Sequence, residues 1–218
     1  MTIFRQLVEK PWEPAQGAVV LHGGRSFQLP AEAVALRVFL AVVTVLFSLL
    51  VAAYAMRMTF EDWRPVPDPR LLWLNTALLI SSSAAFHWAW TGIRGGRLDR
   101  ARLGMLVAGG FAVAFLMGQL WAWQQLNAMR AFDITNPAIA FFYLITALHG
   151  LHLLGGLVAW SMTMSVVWRG TETVRAVRQV KLCATYWHFL LVLWLVLFGL
   201  LFSGNENLDL LLSICGLR

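Results

Sequence analysis

The stretch Phe141–Trp160, FFYLITALHGLHLLGGLVAW, decides the fold. It is apolar enough, and long enough, to cross a bilayer, for which a helix needs about 20 residues. Two histidines, His149 and His152, stand near its middle. They are three residues apart, so they share one helix face about a turn apart. Gly150, Gly155 and Gly156 follow closely, and small residues let helices approach each other in lipid. Ionisable groups at membrane depth are costly and turn toward protein rather than lipid.

Outward from this helix the same apolar character persists. Of 218 residues, 59% are hydrophobic and 13% charged, and the mean hydropathy is +0.68. A soluble domain carries about 25% charged residues, so this chain reads as an integral membrane protein. Apolar spans fall at roughly 33–57, 71–93, 103–126, 137–168 and 182–203. The predicted fold is all-α: one bundle of five transmembrane helices over 33–203. A polar arm, punctuated by Pro11, Pro14 and Pro30, precedes it over 1–32, and a short tail follows over 204–218. The fourth span exceeds the bilayer thickness, so it tilts or projects.

The net charge of +6 does not point to nucleic acid, because the basic residues lie in short loops between apolar spans. Twelve of the 17 fall on one side, including Arg37, Arg94, Arg97, Arg100, Arg102, Arg175 and Arg178. By the positive-inside rule that side is cytoplasmic, which puts the N-terminus inside and the C-terminus outside. Trp63, Trp73, Trp121 and Trp123 would then mark the outer interface, and Trp88, Trp90 and Trp168 the inner one. Cys183 and Cys215 form no CxxC or haem-attachment pattern.

All eleven carboxylates lie in loops, tails or helix ends. Proton relays through a membrane use intramembrane acids, so proton movement through this chain's own body is not expected. Four of the five histidines, His87, His149, His152 and His188, lie within spans. Rise per residue puts His87, His152 and His188 at similar depths, about 8–9 Å from the inner edge. Two readings compete: a haem or metal site, or neutral imidazoles hydrogen-bonded between helices. The lack of nearby Asp, Glu and Cys removes the usual supporting shell of a metal. Ser81, Ser82 and Ser83 sit in no GxSxG turn and read as packing residues, and Gln119 as a bridge between helices. On these residues alone the chain is a non-catalytic helical subunit or a small transporter.

FFYLITALHGLHLLGG resembles the signature helix of subunit III of the haem-copper oxidases. LLWLNTALLISSSAAFHWA, FLMGQLWAW and ATYWHFLLVLWLVLF resemble three further segments of that family, in the same order. Together they cover roughly residues 39–203, about three quarters of the chain. Five spans resemble the short form of cytochrome c oxidase subunit III.

The resemblance implies an accessory subunit without redox centres, with haem and copper in partner subunits. It would stabilise oxidase subunit I, support its proton uptake and bind phospholipid. Its partners would be subunit I above all, subunit II and the other oxidase subunits, and membrane lipids, in the inner (plasma) membrane of a bacterium. The structural and lipid-binding candidates are His87, Gln119, His149, His152, Tyr186, Trp187 and His188, with Arg37, Arg94 and Arg97 for headgroups. No catalytic residue, metal or nucleic acid is expected. Spans one and two are expected to face the others across a lipid-filled groove. Where the family carries acids, this chain has Val43, Ala122, Lys181 and Leu191. The alternatives are subunit III of a quinol oxidase, an accessory protein of nitric oxide reductase, and, from other classes, a small transporter or a membrane cytochrome.

Overall fold

The computed structural model describes residues 30–60, 62–64, 70–128, 136–170 and 173–202. They form five helices: α1 (Ala31–Arg57), α2 (Leu71–Arg94), α3 (Leu98–Ala128), α4 (Pro137–Arg169) and α5 (Thr173–Phe202). The arm before residue 30 and the tail after 202, together with Cys215, lie outside the described residues.

Four helices, α1, α3, α4 and α5, are long and apolar enough to cross a membrane. The 24-residue α2 has the length, but Asn75, Thr76, Ser81–Ser83 and His87 dilute its apolar content. α5 begins well before the apolar run at 182. Its first turns, TVRAVRQVK, are polar, and a polar helical stretch gives no hydropathy signal.

Helix α4 carries clear end signals. Asn136 caps it, its Oδ1 accepting from the Ala138 N–H at 3.1 Å, and Pro137 follows in the first turn, where its missing N–H costs nothing. The Asn136 amide also donates to the Arg64 carbonyl at 3.0 Å, tying the end of α4 to the segment after α1. Gly170 ends the helix in the left-handed conformation at φ 67°.

Helices α2, α3, α4 and α5 close into a ring: α2 lies against α3 and α5, and α4 lies against the same two. Every ring helix feeds the core, through Phe86, Phe115, Phe142, Trp187 and Trp194, all nearly inaccessible. Small residues set the spacing. A Cβ on Gly104 would sit 2.8 Å from Ala89 Cβ, and one on Gly156 would meet the Tyr186 and Trp187 rings at 2.7 and 3.0 Å.

Helix α1 behaves differently. No Cα of α1 comes within 8 Å of a Cα of another helix. It reaches the bundle through long side chains, with Val43, Phe47 and Tyr54 packing among Ile145, Leu197 and Leu200. The expected division, spans one and two against the rest, is therefore corrected. α2 belongs to the ring through its small and polar residues, and α1 alone stands off.

Candidate functional site

The ring interior is polar at selected points, and one device recurs there. A tryptophan indole N–H donates to a hydroxyl, and that hydroxyl donates onward to a backbone carbonyl. Trp187 on α5 donates to Ser82 on α2 at 2.9 Å, and Ser82 donates to the Ala108 carbonyl on α3 at 2.8 Å. Trp194 donates to Thr76 at 3.0 Å, which donates to the Leu72 carbonyl. Trp123 donates to Thr146 at 3.1 Å, which donates to the Phe142 carbonyl. Each relay satisfies an indole donor across helices, and those of Trp187 and Trp194 are fully buried. Gln119 does bridge helices: Asn75 Nδ2 donates to its Oε1 at 3.3 Å.

The histidines separate into three environments. His149 is fully buried in the ring, its imidazole against Phe115 and Trp194 with centroids 5.9 and 5.0 Å away. Neither of its ring nitrogens has a hydrogen-bond partner among the described residues. The expected hydrogen-bonded role is thus corrected for His149: its neighbours are aromatic faces and edges, and it packs as a ring.

His152, one turn on, faces outward from the ring toward α1. It lies 5.5 Å from the Phe47 ring and 6.2 Å from that of Phe39, and its Nδ1 is 2.7 Å from the Leu148 carbonyl. Tyr186 donates to the His152 carbonyl at 2.8 Å. His87 and His188 meet across α2 and α5 with centroids 5.9 Å apart, and His188 Nδ1 is hydrogen-bonded to Ser83 Oγ. Of the three histidines at similar depth, the fold brings two together and sends His152 to a different face.

The space α1 leaves is a cleft of about 620 Å³. Leu36 and Phe39 of α1 form one wall, Leu151, His152 and Gly155 of α4 another, and Leu182, Cys183 and Tyr186 of α5 the third. At its polar end Glu32 meets Arg178, with Nε 3.1 Å from Oε2, and Gln179 lies beside them. Arg37, Arg94 and Arg97, expected to meet lipid headgroups, are not among the residues that line this cleft. Arg94 stacks over Trp90, 5.8 Å from the ring, at the α2–α3 turn. Glu32, Arg178 and Gln179 are the residues that sequence reading missed. The one signal was the polar start of α5, which puts Arg178 on a helix rather than in a loop.

Among the described residues, no three His, Cys, Asp or Glu side chains come together as a metal would require. Beyond the helices, Arg57 grips Asp62 through two hydrogen bonds, one of 2.7 Å, and holds that carboxyl below the usual carboxylate range.

A ring of apolar helices, locked by internal hydrogen bonds and carrying one outlying helix, defines a multi-span membrane protein whose polar interior serves packing. Comparison with known proteins narrows this class. The sequence pattern of the family described as Cytochrome c oxidase subunit III matches residues 34–204, and the chain belongs to that family. It is 31% identical over 176 residues to cytochrome c oxidase subunit 3 of Thermostichus vulcanus, covering 77% of this chain and 84% of that protein. It is 31% identical over 173 residues to the protein of the same name from Synechocystis sp., covering 75% and 72%. A probable cytochrome c oxidase subunit 3 of Mycobacterium bovis matches at 25% over 144 residues.

Proposed function

We propose that this chain is subunit III of a bacterial oxygen-reducing cytochrome c oxidase, an accessory subunit whose haem and copper lie in its partners. It docks on subunit I, alongside subunit II and the other subunits, stabilises subunit I through repeated turnover and supports its proton uptake. All five helices cross the plasma membrane. The 1–32 arm is cytoplasmic and the 204–218 tail outside, as the asymmetry of basic residues favours. α2 crosses with the rest because most of its polar side chains, Asn75, Thr76, Ser82 and Ser83, are spent inside the ring.

The observation that carries this reading is where the polar groups go. Ser82, Thr76, Thr146, Gln119 and Asn75 bond one helix to another or to its own backbone. The histidines that a redox or transport site would use are distributed over three faces. The cleft between α1 and α4–α5 suits phospholipid acyl chains, with the Glu32–Arg178 pair and Gln179 at headgroup level.

Purification of the tagged chain from its native membrane tests the proposal. The expected result is stoichiometric co-purification of haem-containing subunits, with a cytochrome c oxidase activity that starts normally and decays faster when this chain is stripped away. Isolation without any such subunit, or a Soret band in the separated chain, would refute it.

A further inference from the structure

Among the described residues, the α2–α5 seam is the one place where two neighbouring helices present imidazole outward at membrane depth. His87 is exposed and His188 half-buried, and their rings lie 5.9 Å apart. His87 is seven residues from Arg94, about 10 Å along the helix axis, and so well inside an apolar layer about 30 Å thick. His87 has no hydrogen bond to any described residue, and its ring neighbours are Trp90 and His188.

The bond between Ser83 and His188 fixes a proton. Ser83 is buried, and its hydroxyl has one partner among the described residues, His188 Nδ1. Donation by the hydroxyl leaves no buried hydrogen orphaned, so Nδ1 is the acceptor and the ring proton sits on Nε2. His188 thus keeps a free Nε2–H, and a neutral His87 carries one N–H on either tautomer. Two rings that each carry an N–H donor thus lie side by side across the seam, and the acyl chains of lipid offer them no acceptor.

We propose that this seam is the docking surface for a transmembrane helix of a partner oxidase subunit that presents a carboxylate at the depth of His87 and His188. This rests on the reading of the chain as an oxidase subunit. A carboxylate supplies the two acceptor oxygens that paired N–H donors need, and bonds to it are stronger than bonds to a neutral group. This chain's own spans supply no acid to accept these bonds, so the acceptor comes from outside it. Met117 on α3 is exposed on a different face, which presents no histidine.

A photo-crosslinking residue at Ala84, exposed on the His87 face of α2, tests the site in the intact complex, with one at Met117 as comparison. The crosslink from position 84 is expected to join another oxidase subunit on a transmembrane peptide containing Asp or Glu. The H87L/H188L variant is expected to lower retention of the chain in detergent-washed complex about tenfold, the scale of a charge-assisted hydrogen bond. H188Q, which restores a donor near the Nε2 position, should recover most of it. Crosslinks from 84 to lipid alone, or to a peptide without a carboxylate, overturn the proposal. So does unchanged retention of the double variant. An unmodified chain that co-purifies with no oxidase subunit overturns the oxidase reading itself, which separates the two failures.

Discussion

The ring α2–α5 and the outlying α1 are held by different physics. In the ring, backbones approach closely over Gly104, Gly156 and Ala89, and tryptophan–hydroxyl relays pin the helices in register. α1 reaches the ring through Phe39, Phe47 and Tyr54 and the Glu32–Arg178 pair, and leaves a cleft beside it. In lipid, apolar side chains gain little by meeting each other instead of acyl chains, so close packing and hydrogen bonds do most of the joining. The ring has both and α1 has little of either. The rigid part should therefore be the ring, and the adjustable, lipid-facing part α1.

The strongest way to break the comparison is to hollow out the ring. Trp187→Ala removes a fully buried indole and one relay, and should cost about 3–5 kcal/mol, the range for large-to-small core changes. Thermal unfolding of the detergent-solubilised chain would measure it. Next come two adjacent glycines on α4. Gly156→Leu drives a side chain into Tyr186 and Trp187, whereas nothing lies within 4 Å of a Cβ on Gly155. The first should destabilise by about 1–3 kcal/mol, as overpacking does. The second should leave unfolding unchanged and reduce bound phospholipid, because Gly155 lines the cleft. Mass spectrometry of the retained lipid separates the two.

A subtler change isolates the relay. Trp187→Phe keeps an aromatic ring and deletes the donor, while Ser82 still reaches the Ala108 carbonyl. The loss should be about 0.6 kcal/mol, the mean found for interhelical hydrogen bonds in membranes. The smallest effect belongs to the segment after α1. Arg57 lowers the Asp62 pKa, chiefly by its hydrogen bond, from an ordinary value of 3.8. A lowered folded-state pKa means the link contributes fully above that value and is lost as pH falls through the lower folded one. Hydrogen exchange at Phe60 and Trp63 should therefore differ between wild type and Asp62→Asn at neutral pH and converge in strong acid.

Hydropathy located the helices well, because apolar runs report depth. The span read at 137–168 is the helix Pro137–Arg169, with Asn136 and Pro137 marking its start. It found only the membrane-embedded part of α5, because TVRAVRQVK has no apolar run. Side-chain partners were harder to read. In lipid the outside of a helix is as apolar as its inside, so the pattern does not tell which face turns inward. Sequence alone therefore groups α2 with α1 and assigns His149 a hydrogen-bonding partner, where the structure has α2 in the ring and His149 among aromatic rings. The bridging role of Gln119 was legible, since an uncharged amide at that depth needs a partner. The pairing of Trp187 with Ser82 depends on helix rotation, which no local signal encodes.

We propose that this chain supports oxygen chemistry without performing it, with His149 a packing residue of the ring. Steady-state turnover of the purified complex carrying His149→Leu tests this most directly, followed from the first cycles through many. The account predicts an initial rate equal to that of the unmodified complex and a faster decline over repeated turnover. Immediate and complete loss of oxygen reduction, with the variant chain still bound in full stoichiometry, would contradict it.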